Sequence, residues 1–206
     1  MKLSFLSFFA ATLALAPLPV SAQTYAYDAA GRLTSVDYGC GVVTTYSYDP
    51  GGNITQIETA GGAPAIYCTA KVNSCGSIPA IGFAGCASAT AGSGFTVSAT
   101  NTKGMKPGLL VYTNSGPGNA PFSGGILCVN TQPLKRSTVV FDTTGTPGQC
   151  DGTLSIDMNA FAVGALGGNP LLSLTVPGTR INCQFWARDT TTSALLSDAL
   201  EYYVGS

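Results

Sequence analysis

An all-β fold, with a short N-terminal pair of β-hairpin repeats followed by a disulfide-stapled β-sandwich or jelly-roll-like domain, is predicted by three features of the sequence. One short pattern is written twice, first from Tyr25 and again from Tyr46. Downstream, short apolar or alternating runs are separated by Gly, Pro and Asn in a chain with 26 glycines, the layout of many short strands joined by turns. Seven cysteines follow an export signal, and in an oxidising compartment they read first as covalent staples.

Residues 1–22 read as a secretory signal peptide. Lys2 supplies the charged start, Leu3 to Leu18 the apolar centre with Phe5, Phe8, Phe9, Leu13 and Leu15, and Val20-Ser21-Ala22 the small-residue cleavage site. Pro17 and Pro19 interrupt the run, which argues against a retained membrane anchor. The mature chain then starts near Gln23, and no later stretch is long and apolar enough to span a membrane as a helix.

Residues 23–58 read as two hairpins. Tyr25-Ala26-Tyr27-Asp28-Ala29-Ala30-Gly31-Arg32-Leu33-Thr34 returns as Tyr46-Ser47-Tyr48-Asp49-Pro50-Gly51-Gly52-Asn53-Ile54-Thr55, and Val36 returns as Ile57. Tyr-x-Tyr alternates with the period of a half-buried strand. Asp28 and Gly31, like Asp49 and Gly52, then stand at the first and last positions of a four-residue turn, with Pro50 at the second. Leu33-Thr34-Ser35-Val36 and Ile54-Thr55-Gln56-Ile57 follow as return strands.

This string, Tyr-x-Tyr-Asp-x-x-Gly-[Arg/Asn]-[Leu/Ile]-Thr-x-[Val/Ile], resembles the YD repeat of the RHS family over residues 23–58. In that family many such hairpins add up into a long β-sheet that curls into a shell, in large secreted or cell-surface proteins of toxin, wall-associated or adhesive type. The resemblance implies hairpin geometry and export. Two units fall short of the three or more that stacked repeats use to bury a continuous core.

Residues 59–66, with Gly61, Gly62 and Pro64, read as a linker. Residues 67–206 read as the sandwich, with strands at Phe95–Ala99, Leu109–Thr113, Gly125–Val129, Thr138–Phe141, Thr153–Met158, Leu171–Val176, Ile181–Arg188 and Leu200–Val204. Ser115–Pro121, Thr144–Gly148 and Gly164–Pro170 read as loops, and Ser193–Ala199 as the one place for a turn or two of helix. The disulfide candidates are Cys68, Cys75, Cys86, Cys128, Cys150 and Cys183, which allow 15 pairings. Cys68 with Cys75, and Cys128 with Cys150, are spaced as staples across neighbouring segments. Cys40, between the hairpins, is the odd one out: free, linking chains, or replacing a partner in the larger domain.

The function classes narrow quickly. The chain has no histidine, which removes Ser-His-Asp and Cys-His catalysis and His-containing zinc sites. Charged residues are 9% of the total, and no cluster of Lys and Arg marks a nucleic-acid footprint. A carboxylate pair for glycan hydrolysis would come from Asp142, Asp151, Asp157, Asp189, Asp198 and Glu201, which read first as surface groups and turn caps. Calcium at Asp151 or Asp157 is the one cofactor the pattern leaves room for.

A binding face has more support. Strand alternation in Ile181–Arg188 sends Ile181, Cys183, Phe185 and Ala187 inward and sets Asn182, Gln184, Trp186 and Arg188 on the opposite face. An aromatic ring beside amide and guanidinium donors suits a sugar or another polar ligand, although Arg188 stacked on Trp186 over a solvated sheet explains the same residues. The sequence therefore predicts a secreted or cell-surface protein of structural, adhesive or binding type, acting without catalysis. Its partners would be extracellular glycans or cell-surface proteins.

Overall fold

Both copies of the repeat fold as hairpins, and one arrangement of hydrogen bonds accounts for both. The computed structural model describes residues 23–206, so the signal-peptide reading of residues 1–22 lies outside the described residues. Strands β1 (Thr24–Tyr27), β2 (Leu33–Asp37), β3 (Val43–Tyr48) and β4 (Ile54–Ala60) form an antiparallel sheet in chain order. The Gly31 amide donates to the Asp28 carbonyl at 2.9 Å and the Gly52 amide to the Asp49 carbonyl at 3.0 Å. Each aspartate then caps its own turn. Asp28 Oδ1 accepts from the Ala30 and Arg32 amides, and Asp49 Oδ1 from the Asn53 amide.

The position that alternates between Arg and Asn has one job in two chemistries. Arg32 Nε donates to Asp28 Oδ2 at 2.7 Å, and Asn53 Nδ2 donates to Asp49 Oδ2 at 2.9 Å. Hydrogen bonds from the Arg32 amide and side chain hold the Asp28 carboxyl below the usual carboxylate value, and those from the Asn53 side chain and amide do the same for Asp49. The Arg32 guanidinium also lies 4.7 Å over the Tyr48 ring, and the Tyr48 hydroxyl donates to the Leu33 carbonyl. Each hairpin thus leans on the other.

Gly52 has φ +88° with open space where a Cβ would stand, so the demand for glycine there is conformational. Gly52→Ala is expected to destabilise the repeat sheet by about 1–2 kcal/mol, seen as faster amide exchange in β3 and β4 with unchanged exchange in the large domain.

The connection to the large domain is shorter than the 59–66 linker read from the sequence. β4 runs to Ala60, and β5 (Ala65–Tyr67) already pairs with the main sheet. Gly61 takes φ +81°, and a side chain there would overlap the Gly41 carbonyl.

The large domain continues with β6 (Ala80–Gly85), β7 (Phe95–Thr102), β8 (Pro107–Thr113), β9 (Pro117–Phe122), β10 (Gly125–Val129), β11 (Lys135–Arg136), β12 (Val140–Phe141) and β13 (Gly152–Asp157). A short helix α1 (Met158–Ala162) and a 3-10 turn (Leu172–Thr175) precede β14 (Arg180–Arg188) and β15 (Ala194–Tyr203). The main sheet has the order β11-β8-β14-β15-β5, with β12 also on β8, and faces a three-stranded sheet β13-β7-β6. One core fills the space between them. It takes Leu110 and Tyr112 from β8, Ile181, Phe185 and Ala187 from β14, Leu200 and Tyr202 from β15, Phe95 and Val97 from β7, and Leu154 and Ile156 from β13. The fold is all-β and sandwich-like, as the sequence predicts.

Helix and strand trade places in three segments relative to the reading. Leu171–Val176 is not a strand: Leu171 and Leu174, three apart, pack on the core while Leu172 is 86% exposed, a helical spacing instead of an alternating one. Ser193–Ala199 holds no helix, because pairing with β14 on one side and β5 on the other draws most of it into β15. The helix lies instead after β13, where Asp157 ends the strand and its side chain accepts from the Ala160 amide as an N-cap.

The cysteines pair as Cys40–Cys86, Cys68–Cys128 and Cys75–Cys150. Cys183 is therefore not a disulfide partner: its inward-facing thiol is free and fully buried in the core, and burial pushes its pKa up. Cys40 takes the place assigned to it. The β2–β3 turn, where Cys40 has φ 53° and Gly41 lies against the Tyr203 backbone, presses on the end of the sandwich and meets Cys86 there. Neighbour pairing of Cys68 with Cys75 and of Cys128 with Cys150 does not occur, since β5 carries Cys68 to the β9–β10 hairpin, where Tyr67 also donates to the Cys128 carbonyl.

Candidate binding site

β14 alternates as expected, with Ile181, Cys183, Phe185 and Ala187 in the core and Asn182, Gln184, Trp186 and Arg188 on the outer face of the main sheet. That outer face is not uniformly solvated. β9 and β10 pair as a hairpin that folds over it, and Ser115–Pro121, read as a loop, supplies most of β9. Pro117 and Pro121 fit an edge strand that has no partner other than β10 among the described residues.

Two of the four expected ligand residues are engaged within the protein, Gln184 by the hairpin and by β15, Asn182 by β5 and β15. Gln184 Oε1 accepts from the Cys128 amide, and its Nε2 donates to the Ile126 and Ser197 carbonyls. Asn182 Nδ2 donates to the Tyr67 hydroxyl and to Glu201. Both amides are fully buried. Burial pushes the Tyr67 phenol up to about 12, although the Asn182 hydrogen bond pulls the other way. Gln184 directly, and Asn182 through the Tyr67 hydroxyl, join the hairpin to the sheet, while Asn182 Oδ1 stays buried without a hydrogen-bond partner in the protein.

Trp186 and Arg188 lie beyond the cover. The Arg188 guanidinium is 5.5 Å from the indole centroid, and the indole Nε1 is buried without a hydrogen-bond partner in the protein. On one side of the ring is a cavity of about 220 Å³ lined by Leu109, Val111, Phe122, Leu127 and Leu134, with Arg136 the one charged wall. On its other side a shallower groove of about 200 Å³ runs past Pro107, Leu109, Val139 and Arg188. Arg188 also borders a wider groove with Lys103, Lys106 and Asp189. Trp186 is the divider of one trough.

The register explains this assembly. Trp186 stands opposite Leu109, and Gln184 opposite Val111, while Arg136 pairs with Val111 across the other edge of β8. The side chains that line the cavity were absent from the sequence-derived face, yet Leu109-Leu110-Val111 carries their signal. An apolar run without alternation marks a strand covered on both faces.

Five of the six carboxylates raised as a catalytic pair accept hydrogen bonds from backbone amides. Asp142 accepts from the amides of Met105, Thr144, Gly145 and Thr153 and from the Thr144 hydroxyl. Asp151 accepts from Thr146, Asp157 from Ala160 and Gly94, Asp189 from Ser74, and Asp198 from Ile81. Glu201 holds Asn182 and lies 4.0 Å from Arg180. Among the described residues no three acidic or cysteine side chains gather as a metal site. None of their helices is long and apolar enough to cross a membrane.

No curated protein and no solved structure matches the chain. Residues 27–64, which span both aspartate-capped turns, β2, β3 and β4, match the family model described as RHS Repeat.

Proposed function

We propose that this is a secreted or cell-surface structural or adhesive protein that acts without catalysis and presents its repeat sheet to further strands. RHS repeats and disulfide bonds are both typical of extracellular and cell-surface proteins. The observation that carries the reading is the repeat sheet itself. Its outer strands β1 and β4 have no partner on their far sides among the described residues, and Tyr25, Tyr27, Ile54 and Ile57 are each at least half exposed. An open edge with apolar neighbours is a template for another strand. The Cys40–Cys86 bridge fastens that template to the sandwich.

Sedimentation velocity of the oxidised protein tests this. The expected result is a mass that rises with concentration, and an Ile57→Lys variant that stays monomeric while melting at the same temperature. A wild-type protein that remains monomeric throughout would remove the reading.

A further inference from the structure

The trough divided by Trp186 has the composition of a ligand site, and nothing in the repeat sheet accounts for it. Its deeper half is walled by aliphatic and aromatic side chains from β8, β9, β10 and the segment before β11, so an occupant would be chosen for apolar surface. Its rim is cationic. Arg136 lines the cavity and Arg188 stacks on the far side of the indole, and neither takes part in an ion pair among the described residues, where the pairs are Arg32–Asp28 and Arg180–Glu201. Lys106, further along, is equally unpaired.

Main-chain recognition is closed off here. The free side of β8 is taken by β11 at Val111 and Tyr112 and by β12 at Pro107 and Gly108. Between them Ser137 serves Leu110 through both its amide and its hydroxyl. An extended peptide therefore finds no free edge of β8 to join in the trough. The amides that would read sugar hydroxyls, Asn182 and Gln184, are fully buried, and their NH2 groups are already engaged.

We propose that this trough binds a small single-chain anionic amphiphile, such as an alkyl carboxylate. The chain fills the cavity against Leu109, Leu134 and Trp186, and the carboxylate is held by Arg136, with Arg188 as the second cation across the indole. An Arg–carboxylate contact at the mouth of an apolar cavity is charge-assisted, and its strength falls as salt rises because Arg136 is exposed. The inference is independent of the repeat sheet, and either can fail alone.

The test is titration of the full oxidised protein with decanoate and with decanol below their aggregation limits, followed by the emission of the single tryptophan and by calorimetry. Decanoate is expected to bind saturably and shift the emission to the blue, and decanol to bind about tenfold more weakly. Arg136→Ala should bring decanoate down to the level of decanol. Because Arg136 is exposed, that variant should melt with the wild type. Absence of saturable decanoate binding, equal affinity for decanol, or an Arg136→Ala variant that binds decanoate undiminished would each overturn the proposal. So would binding of an acidic aromatic peptide in place of decanoate, which would make the trough a protein-docking site.

Discussion

Asp142→Asn is expected to lower the unfolding free energy by about 3 kcal/mol at pH 7. The carboxylate, 2% exposed, is the shared acceptor for four backbone amides and a hydroxyl drawn from the β7–β8 turn, the Thr144–Gly145 loop and the start of β13. Asparagine keeps one acceptor and turns an NH2 group towards donors, so at least one buried amide loses its partner. Burial alone would raise the carboxyl, but the Met105, Thr144 and Thr153 hydrogen bonds outweigh it and bring it down to about 2 from 3.8. A carboxyl lowered in the folded state stabilises the fold above its unfolded value and loses that contribution as pH falls towards the folded one. Urea melts at pH 7, 4 and 2 should therefore show the gap between Asp142→Asn and the wild type closing between about pH 4 and 2. A gap that does not change with pH would mean that the charge contributes nothing beyond shape. Burial raises Asp198 instead, so Asp198→Asn should have the opposite, smaller trend.

Phe95→Ala is expected to cost about 3–5 kcal/mol. Phe95 begins β7, is fully buried, and meets Tyr202 of β15 edge-on with centroids 4.7 Å apart. It joins the small sheet to the main one, so its loss opens a cavity that neither sheet can close alone. Phe141→Ala on β12, where the ring is 66% exposed, should change stability by less than about 0.5 kcal/mol. Chemical denaturation of the two variants separates the effect of position from that of residue type.

What was legible in the sequence was whatever a local rule controls. The turn grammar of Asp28–Gly31 and Asp49–Gly52 requires no distant partner, and β14 shows its two faces by alternation. What was hidden depended on contacts far along the chain. Cys40 meets Cys86 only because the β2–β3 turn abuts the end of β15, and no spacing rule records that. Asn182 and Gln184 looked available because a strand reveals which face a residue takes and not what covers that face. The cover is the β9–β10 hairpin, in which Ile126 and Cys128 of β10 hold Gln184, and the prolines and glycine of Pro117–Phe122 disguised the partner strand of β10 as a loop. Ser193–Ala199 shows the same lesson, with pairing on both sides overriding the helical preference of Ala and Leu.

The Cys40–Cys86 bridge also sets the path that tension would take. A pull on the repeats reaches Cys40 along β1 and β2 and crosses the sulfurs to Cys86, so that β3, β4 and the Gly61–Pro64 connection lie off the covalent path of the load. The load then arrives beside Ala87 and Ser88, which are hydrogen-bonded and bridged in parallel to Gly205 at the close of the last strand. Tethered from its outermost hairpin, the molecule would be loaded through this two-sided seam, and the thin connector would be spared.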